Sequence, residues 1–159
     1  MPQLFILRHG EAENYSSSGR DSDRALTAHG RAQVQSVLAD TAALTLGVEL
    51  VLASPYLRAQ QTAEYVKASY PNAEFQTWDA LVPESDPAYL CQRLNEKLLD
   101  RPNSNIVLVS HQPLVGTLLN ELSGSINGQY PMDTASFAGL RLELCEKGLA
   151  ELLWLKHVV

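Results

Sequence analysis

Three times along this chain, four consecutive apolar residues run directly into a cluster of polar, chemistry-bearing side chains. Leu4-Phe5-Ile6-Leu7 leads to Arg8-His9-Gly10, and Leu50-Val51-Leu52-Ala53 leads to Ser54-Pro55-Tyr56-Leu57-Arg58. Ile106-Val107-Leu108-Val109 leads to Ser110-His111-Gln112-Pro113. Such runs read as short buried strands, and helical patterns separate them. Strands alternating with helices specify a mostly parallel sheet covered on both faces, an α/β three-layer αβα sandwich. Open α/β sheets place ligands at the carboxyl ends of their strands. Here those ends deliver two arginines and two histidines, a set that suits a phosphoryl group and needs no metal. Gly10 is expected to supply a tight turn and let a ligand approach the backbone.

The helical segments have recognisable ends. Thr27 is the expected N-cap of a helix from Ala28, with Val34, Val37, Leu38, Ala42 and Leu46 on one face and Gly47 as its stop. Pro55 suits the first turn of the next helix, which carries Arg58 and buries Ala59, Thr62, Ala63 and Val66. Asp86-Pro87 opens a helix with Leu90, Leu94 and Leu98 on one side. A fourth helix follows Pro113, with Leu114, Val115, Leu118, Leu119 and Leu122. From Phe137 to Leu144 and from Leu152 to Leu155 the chain reads as an antiparallel hairpin at the sheet edge, turning near Lys147-Gly148. Asn14 to Asp23 and Ser123 to Asp133 show neither period and read as loops, bordering the site or facing solvent.

At 159 residues the expectation is a single domain, 1–159. A net charge of −6 argues against a nucleic-acid partner, so basic residues gathered at one site would serve a local purpose. No run of 18 apolar residues suggests a membrane span, and no basic stretch precedes the first apolar run. The cytoplasm is the default compartment and a monomer the default state. Cys91 and Cys145 show neither metal-ligand spacing nor a disulfide framework, and read as ordinary thiols. His29 and His157 follow no strand-end motif and read as structural or exposed.

The chain resembles the histidine phosphatase superfamily, which includes the phosphoglycerate mutases, and most closely its small SixA-type phosphohistidine phosphatases. Four segments carry the resemblance, in the family's order: Leu7-Arg8-His9-Gly10-Glu11-Ala12; Arg24-Ala25-Leu26-Thr27 with Gly30; Ser54-Pro55 with Arg58-Ala59 and Gln61-Thr62; and Ser110-His111 with Pro113-Leu114-Val115-Gly116. The resemblance implies that His9 is the nucleophile, forming a transient phosphohistidine. It implies that Arg8 and Arg58 clamp phosphoryl oxygens and that His111 donates to them. The backbone amide of Gln112 is a candidate further donor, with a plain loop amide as the alternative. Arg24 stands in a segment resembling the SixA-type Arg-Pro-Leu-Thr motif, with Ala25 where that motif has proline. It either contacts substrate or pairs with Asp21 or Asp23. No cofactor is implied.

Substrate class turns on the leaving group. Mutases and ester phosphatases of the superfamily protonate a departing alkoxide with a carboxylic acid, and Glu84 is the candidate acid or else a loop carboxylate. Imidazole, with a pKa of about 6.5, departs without such help once protonated. The 53 positions from Arg58 to His111 leave little room for a covering lid. Leaving-group chemistry and room both favour a phosphohistidine substrate, and the resemblance implies dephosphorylation of histidine-phosphorylated proteins of the phosphorelay or phosphotransfer type. The alternatives are a small-ester phosphatase using Glu84, or a non-catalytic phosphate-binding module.

Overall fold

In the computed structural model, which describes residues 2–125 and 127–158, the three apolar runs form the middle of one sheet. They are β1 (Gln3–Arg8), β2 (Val48–Ala53) and β4 (Asn105–Ser110). A short strand β3 (Glu74–Thr77) borders β2, and the hairpin β5 (Phe137–Arg141) and β6 (Glu151–Lys156) borders β1. The spatial order is β3-β2-β4-β1-β5-β6, with β3, β2, β4 and β1 parallel and β5 and β6 antiparallel. The expected mostly parallel sheet with an antiparallel edge hairpin is what forms.

Successive side chains of a strand point to opposite faces, so a continuous apolar run needs cover on both. Leu4, Ile6, Leu50, Leu52, Ile106 and Leu108 pack under helices α3 (Pro87–Asp100) and α4 (Leu114–Ser123). Phe5, Leu7, Val51, Ala53, Val107 and Val109 pack under α1 (Ala28–Thr41) and α2 (Leu57–Ser69). No helix among the described residues is long and apolar enough to cross a membrane.

The caps follow the sequence. Thr27 Oγ1 accepts from the Gly30 amide at 2.9 Å, and Asp86 accepts from the Ala88 amide with Pro87 at the first helical position. Two expectations need correction. Helix α1 stops at Thr41 rather than running to Gly47, and Leu46 is exposed. There the buried hydroxyls of Thr41 and Thr45 bond to the carbonyls of Val37 and Thr41, engaging backbone groups at the helix end. Pro55 lies before α2, whose N-cap is Tyr56, because Ser54 Oγ accepts from the Tyr56 amide and turns the chain first. The stretch between Arg58 and His111 has room for a strand, but its place is not legible, since Glu74-Phe75-Gln76-Thr77 of β3 has one apolar residue; the Lys67 ammonium lies 4.6 Å from the Phe75 ring centre.

Gly10 has a further role that the sequence did not suggest. Its backbone is not in the left-handed region, and helix α1 comes into close contact with it. A Cβ on Gly10 would sit 2.4 Å from the Gly30 carbonyl oxygen, and one on Gly30 would sit 2.0 Å from the Glu11 carbonyl oxygen. The two glycines let the strand-end turn and the first turn of α1 touch backbone to backbone. Gly30→Ala must therefore push α1 off the turn that carries His9. Urea unfolding should show a loss of at least about 1–3 kcal/mol, the usual range for overpacking a tight contact. Unchanged stability would mean that the contact is not closed in solution.

Candidate active site

The carboxyl ends of β1, β2 and β4 converge as expected. His9, Arg58 and His111 are all buried, with His9 and His111 ring centres 5.1 Å apart. Position at a strand end explains His9 and His111; Arg58 reaches the same place from the first turn of α2.

Hydrogen bonding assigns the His9 ring. Its Nδ1 lies 2.6 Å from the Gly10 carbonyl oxygen, which can only accept, so Nδ1 carries the proton. Arg58 Nε, which can only donate, lies 3.3 Å from His9 Nε2. Nε2 is therefore an unprotonated lone pair facing a cation. Burial, with Arg58, Arg8 and Arg24 nearby, lowers the His9 pKa to about 4 against the partial opposition of the Gly10 carbonyl. The free protein thus holds a neutral imidazole with Nδ1 protonated and Nε2 carrying a free lone pair.

The His111 Nε2 lies 2.7 Å from Ser54 Oγ, which accepts from the Tyr56 amide. The Ser54 hydroxyl can donate to Nε2 or accept from it, and donation places the ring proton on Nδ1. That atom and Arg8 Nε are buried and have no partner among the described residues. Burial, reinforced by His9 and Arg58, lowers the His111 pKa to about 2. Buried donors without acceptors are costly, at about 1–3 kcal/mol each, and are natural places for a ligand's oxygens.

The two arginines are already held by protein acceptors. Arg58 Nη1 donates to the Asp21 carbonyl at 2.8 Å and its Nη2 to the Asp21 carboxylate at 3.1 Å. Arg24 Nη1 binds the other carboxylate oxygen at 2.8 Å, and its Nε donates to the Glu13 carbonyl. Hydrogen bonds from Arg24 and Arg58 hold the Asp21 carboxyl below the usual range. Arg24 therefore pairs with Asp21, one of its two anticipated partners. Arg8 Nη1 donates to the Met132 carbonyl, while the Arg8 amide bonds to Ser136 and the Ala135 amide to the His9 carbonyl. Ala135 adopts a positive φ of 58° there, an unfavourable conformation for a residue with a Cβ, retained where it braces the histidine turn.

The remaining candidates separate. The Gln112 side chain folds back to accept from the Gly116 amide at 2.7 Å and so caps α4. Glu84 is exposed, its carboxylate accepting from the Tyr56 hydroxyl at 3.0 Å, while the Tyr56 ring stands edge-to-face with His111 at 5.1 Å. His29 lies at the surface near Glu11, and His157 bonds Ser136. Among the described residues no three His, Cys, Asp or Glu side chains cluster as a metal site requires. Sequence reasoning missed Asp21, Ser54 and the 132–136 brace. Asp21 was visible only as a partner for Arg24, and Ser54 only as half of a Ser-Pro motif.

Comparison with known proteins identifies the family and the fold. The family described as histidine phosphatase superfamily (branch 1) matches residues 4–82. A phosphohistidine phosphatase SixA homolog of Haemophilus influenzae is 33% identical over 132 residues, covering 78% of this chain and 79% of that protein. Phosphohistidine phosphatase SixA of Escherichia coli is 32% identical, covering 96% and 91%. A solved structure of the protein histidine phosphatase SixA complexed with tungstate superposes with a TM-score of 0.82 at 28% identity, covering 98% of this chain and 96% of that one.

The depressed His9 pKa carries a signed consequence for stability. As pH falls from 6.5 towards 4, the unfolded chain binds a proton that folded His9 refuses, so stability falls with pH. Between pH 7 and 5 His9 should account for about 2 kcal/mol of that loss. His9→Gln should lose correspondingly less in urea unfolding over that interval. Identical losses in both proteins would mean that His9 is not held neutral.

Proposed function

The chain belongs to the histidine phosphatase superfamily, and we propose that it is a phosphohistidine phosphatase, removing phosphate from histidine side chains of other proteins through a phospho-His9 intermediate. The observation that carries this reading is the single unprotonated nitrogen, His9 Nε2, facing the Arg58 guanidinium at 3.3 Å. The names of the relatives, and the tetrahedral shape that tungstate shares with phosphate, agree with it.

In the first step the Nε2 lone pair attacks phosphorus in line while the bond from phosphorus to the substrate imidazole breaks. That imidazole, protonated on its other nitrogen, leaves neutral. His9 keeps its Nδ1 proton on the Gly10 carbonyl throughout. In the second step water attacks the phosphorus, its proton passes to the phosphate oxygens, and His9 departs as neutral imidazole rather than as a poor imidazolate leaving group. Arg8, Arg58 and the Nδ1–H of His111 stabilise the transferring oxygens, with the Gln112 amide a further donor. For Arg58 this requires the phosphate to take over donors now bound to Asp21. These donors neutralise the phosphoryl charge without a divalent ion.

The segment between β2 and β4 supports a protein substrate. Strand β3 pairs with β2, while α2 and α3 cover the two faces of the sheet, so the described elements there belong to the sandwich rather than to a lid. A site without such a lid admits a side chain projecting from a phosphorelay or phosphotransfer protein.

A second reading rests on Tyr56, whose hydroxyl binds Glu84 and whose ring stands edge-to-face with His111. There Glu84 would protonate the alkoxide of a small ester. The two readings separate by leaving group. With no acid in use, phosphohistidine should be hydrolysed orders of magnitude faster than alkyl phosphates, and Glu84→Gln should change that rate by less than about threefold, well under the effect of a general acid. Alkyl phosphates proving the better substrates, with activity abolished by Glu84→Gln, would select the ester reading.

A further inference from the structure

At the pole of the sheet opposite His9 lies a second pair of reactive groups, Cys91 and Cys145. Residue Arg141 at the end of β5 is level with Gln3 at the start of β1, six residues upstream of His9, and Cys145 follows just beyond. Cys91, in the first half of α3, is partly exposed; Cys145 is buried. The Cys145 thiol donates to Cys91 Sγ at 3.0 Å, although the two residues are 54 positions apart in sequence.

This meeting is built into the backbone. Asn95 stands one helical turn after Cys91 on the same face of α3. Its side-chain oxygen accepts from the Cys145 amide at 2.7 Å, and its side-chain nitrogen donates to the Cys145 carbonyl at 3.1 Å. Both backbone groups of Cys145 are thus gripped by the helix that presents Cys91. We propose that Cys91 and Cys145 form a reversible intramolecular disulfide that staples α3 to the segment between β5 and β6.

The two thiols have unequal roles. The hydrogen bond from Cys145 lowers the Cys91 pKa despite burial, while donation to Cys91 and burial raise that of Cys145. Cys91 is therefore the attacking thiolate and Cys145 the resolving thiol. With a low-molecular-weight disulfide as oxidant, Cys91 Sγ attacks one of its sulfurs and releases one small thiolate. Cys145 Sγ then attacks the Cys91 sulfur, the mixed disulfide breaks, and the second small thiolate leaves. Two protein thiols are oxidised, the small disulfide is reduced, and the two displaced protons end on the two small thiols. The closed loop restricts the unfolded chain, so the product should be more stable than the reduced protein.

The test equilibrates the full chain in glutathione buffers of graded oxidised-to-reduced ratio, followed by acid quenching and intact-mass and peptide analysis. The expected product is a single chain lighter by two hydrogens, with Cys91 linked to Cys145, and reversed by excess reduced glutathione. Its Tm should rise by roughly 5 °C or more, and its phosphohistidine hydrolysis should be unchanged because His9 lies at the other pole. Cys91→Ser should abolish both the mass change and the Tm rise. Persistent glutathione adducts, disulfides between chains, or two thiols still free to alkylation at the most oxidising ratio would each overturn the proposal. A linked product with altered turnover would overturn its independence from the active site.

Discussion

The site depends on one hydrogen bond, that from His9 Nδ1 to the carbonyl of the next residue, Gly10. It forces the ring into one tautomer and turns the other nitrogen towards Arg58. Everything around it serves to keep that carbonyl in place. The Gly10 amide donates to Thr62 Oγ1 from α2, and Gly10 rests on the Gly30 carbonyl of α1. The His9 carbonyl is held by Ala135 and its amide by Ser110. One imidazole is thereby tied to two helices, a neighbouring strand and a strained loop residue.

Charge is arranged around this neutral ring asymmetrically. Two guanidinium groups and two uncharged imidazoles favour an anion, and in the free chain the half-exposed carboxylate of Asp21 pairs with Arg58 while Asp133 lies near Arg8. Only the Asp21 side of this pair faces solvent, the Arg58 guanidinium being buried, so the carboxylate holds Arg58 oriented in the free chain. Arg8 Nε and His111 Nδ1 find no partner among the described residues.

Sequence patterns expose some of this and hide the rest for physical reasons. Apolar runs buried on both faces leave a continuous signature, so β1, β2 and β4 and the residues at their ends were legible, as were α3 with its Asp86-Pro87 start and the closing hairpin. Strand β3 was not, because an edge strand needs little apolar surface. The end of α1 was misplaced because its periodic apolar residues continue past Thr41, where threonine hydroxyls take over the backbone carbonyls. Within the site, the candidate reactive groups belong to short motifs, while those that orient them are ordinary residues brought near by folding. Asp21, Ser54 and Ala135 act through a carboxylate, a hydroxyl and a backbone amide, which no local pattern singles out. The meeting of Cys91 and Cys145 is likewise a product of topology, set by where the hairpin lands on α3.

The most direct measurement is rapid acid-free quenching during turnover of a phosphohistidine protein, followed by mass spectrometry of the peptide containing His9. Phosphate on His9 at early times, decaying as free phosphate appears and lost together with turnover in a folded His9→Ala variant, is the predicted result. Full turnover in that variant, or phosphate trapped on a different residue, would contradict the account.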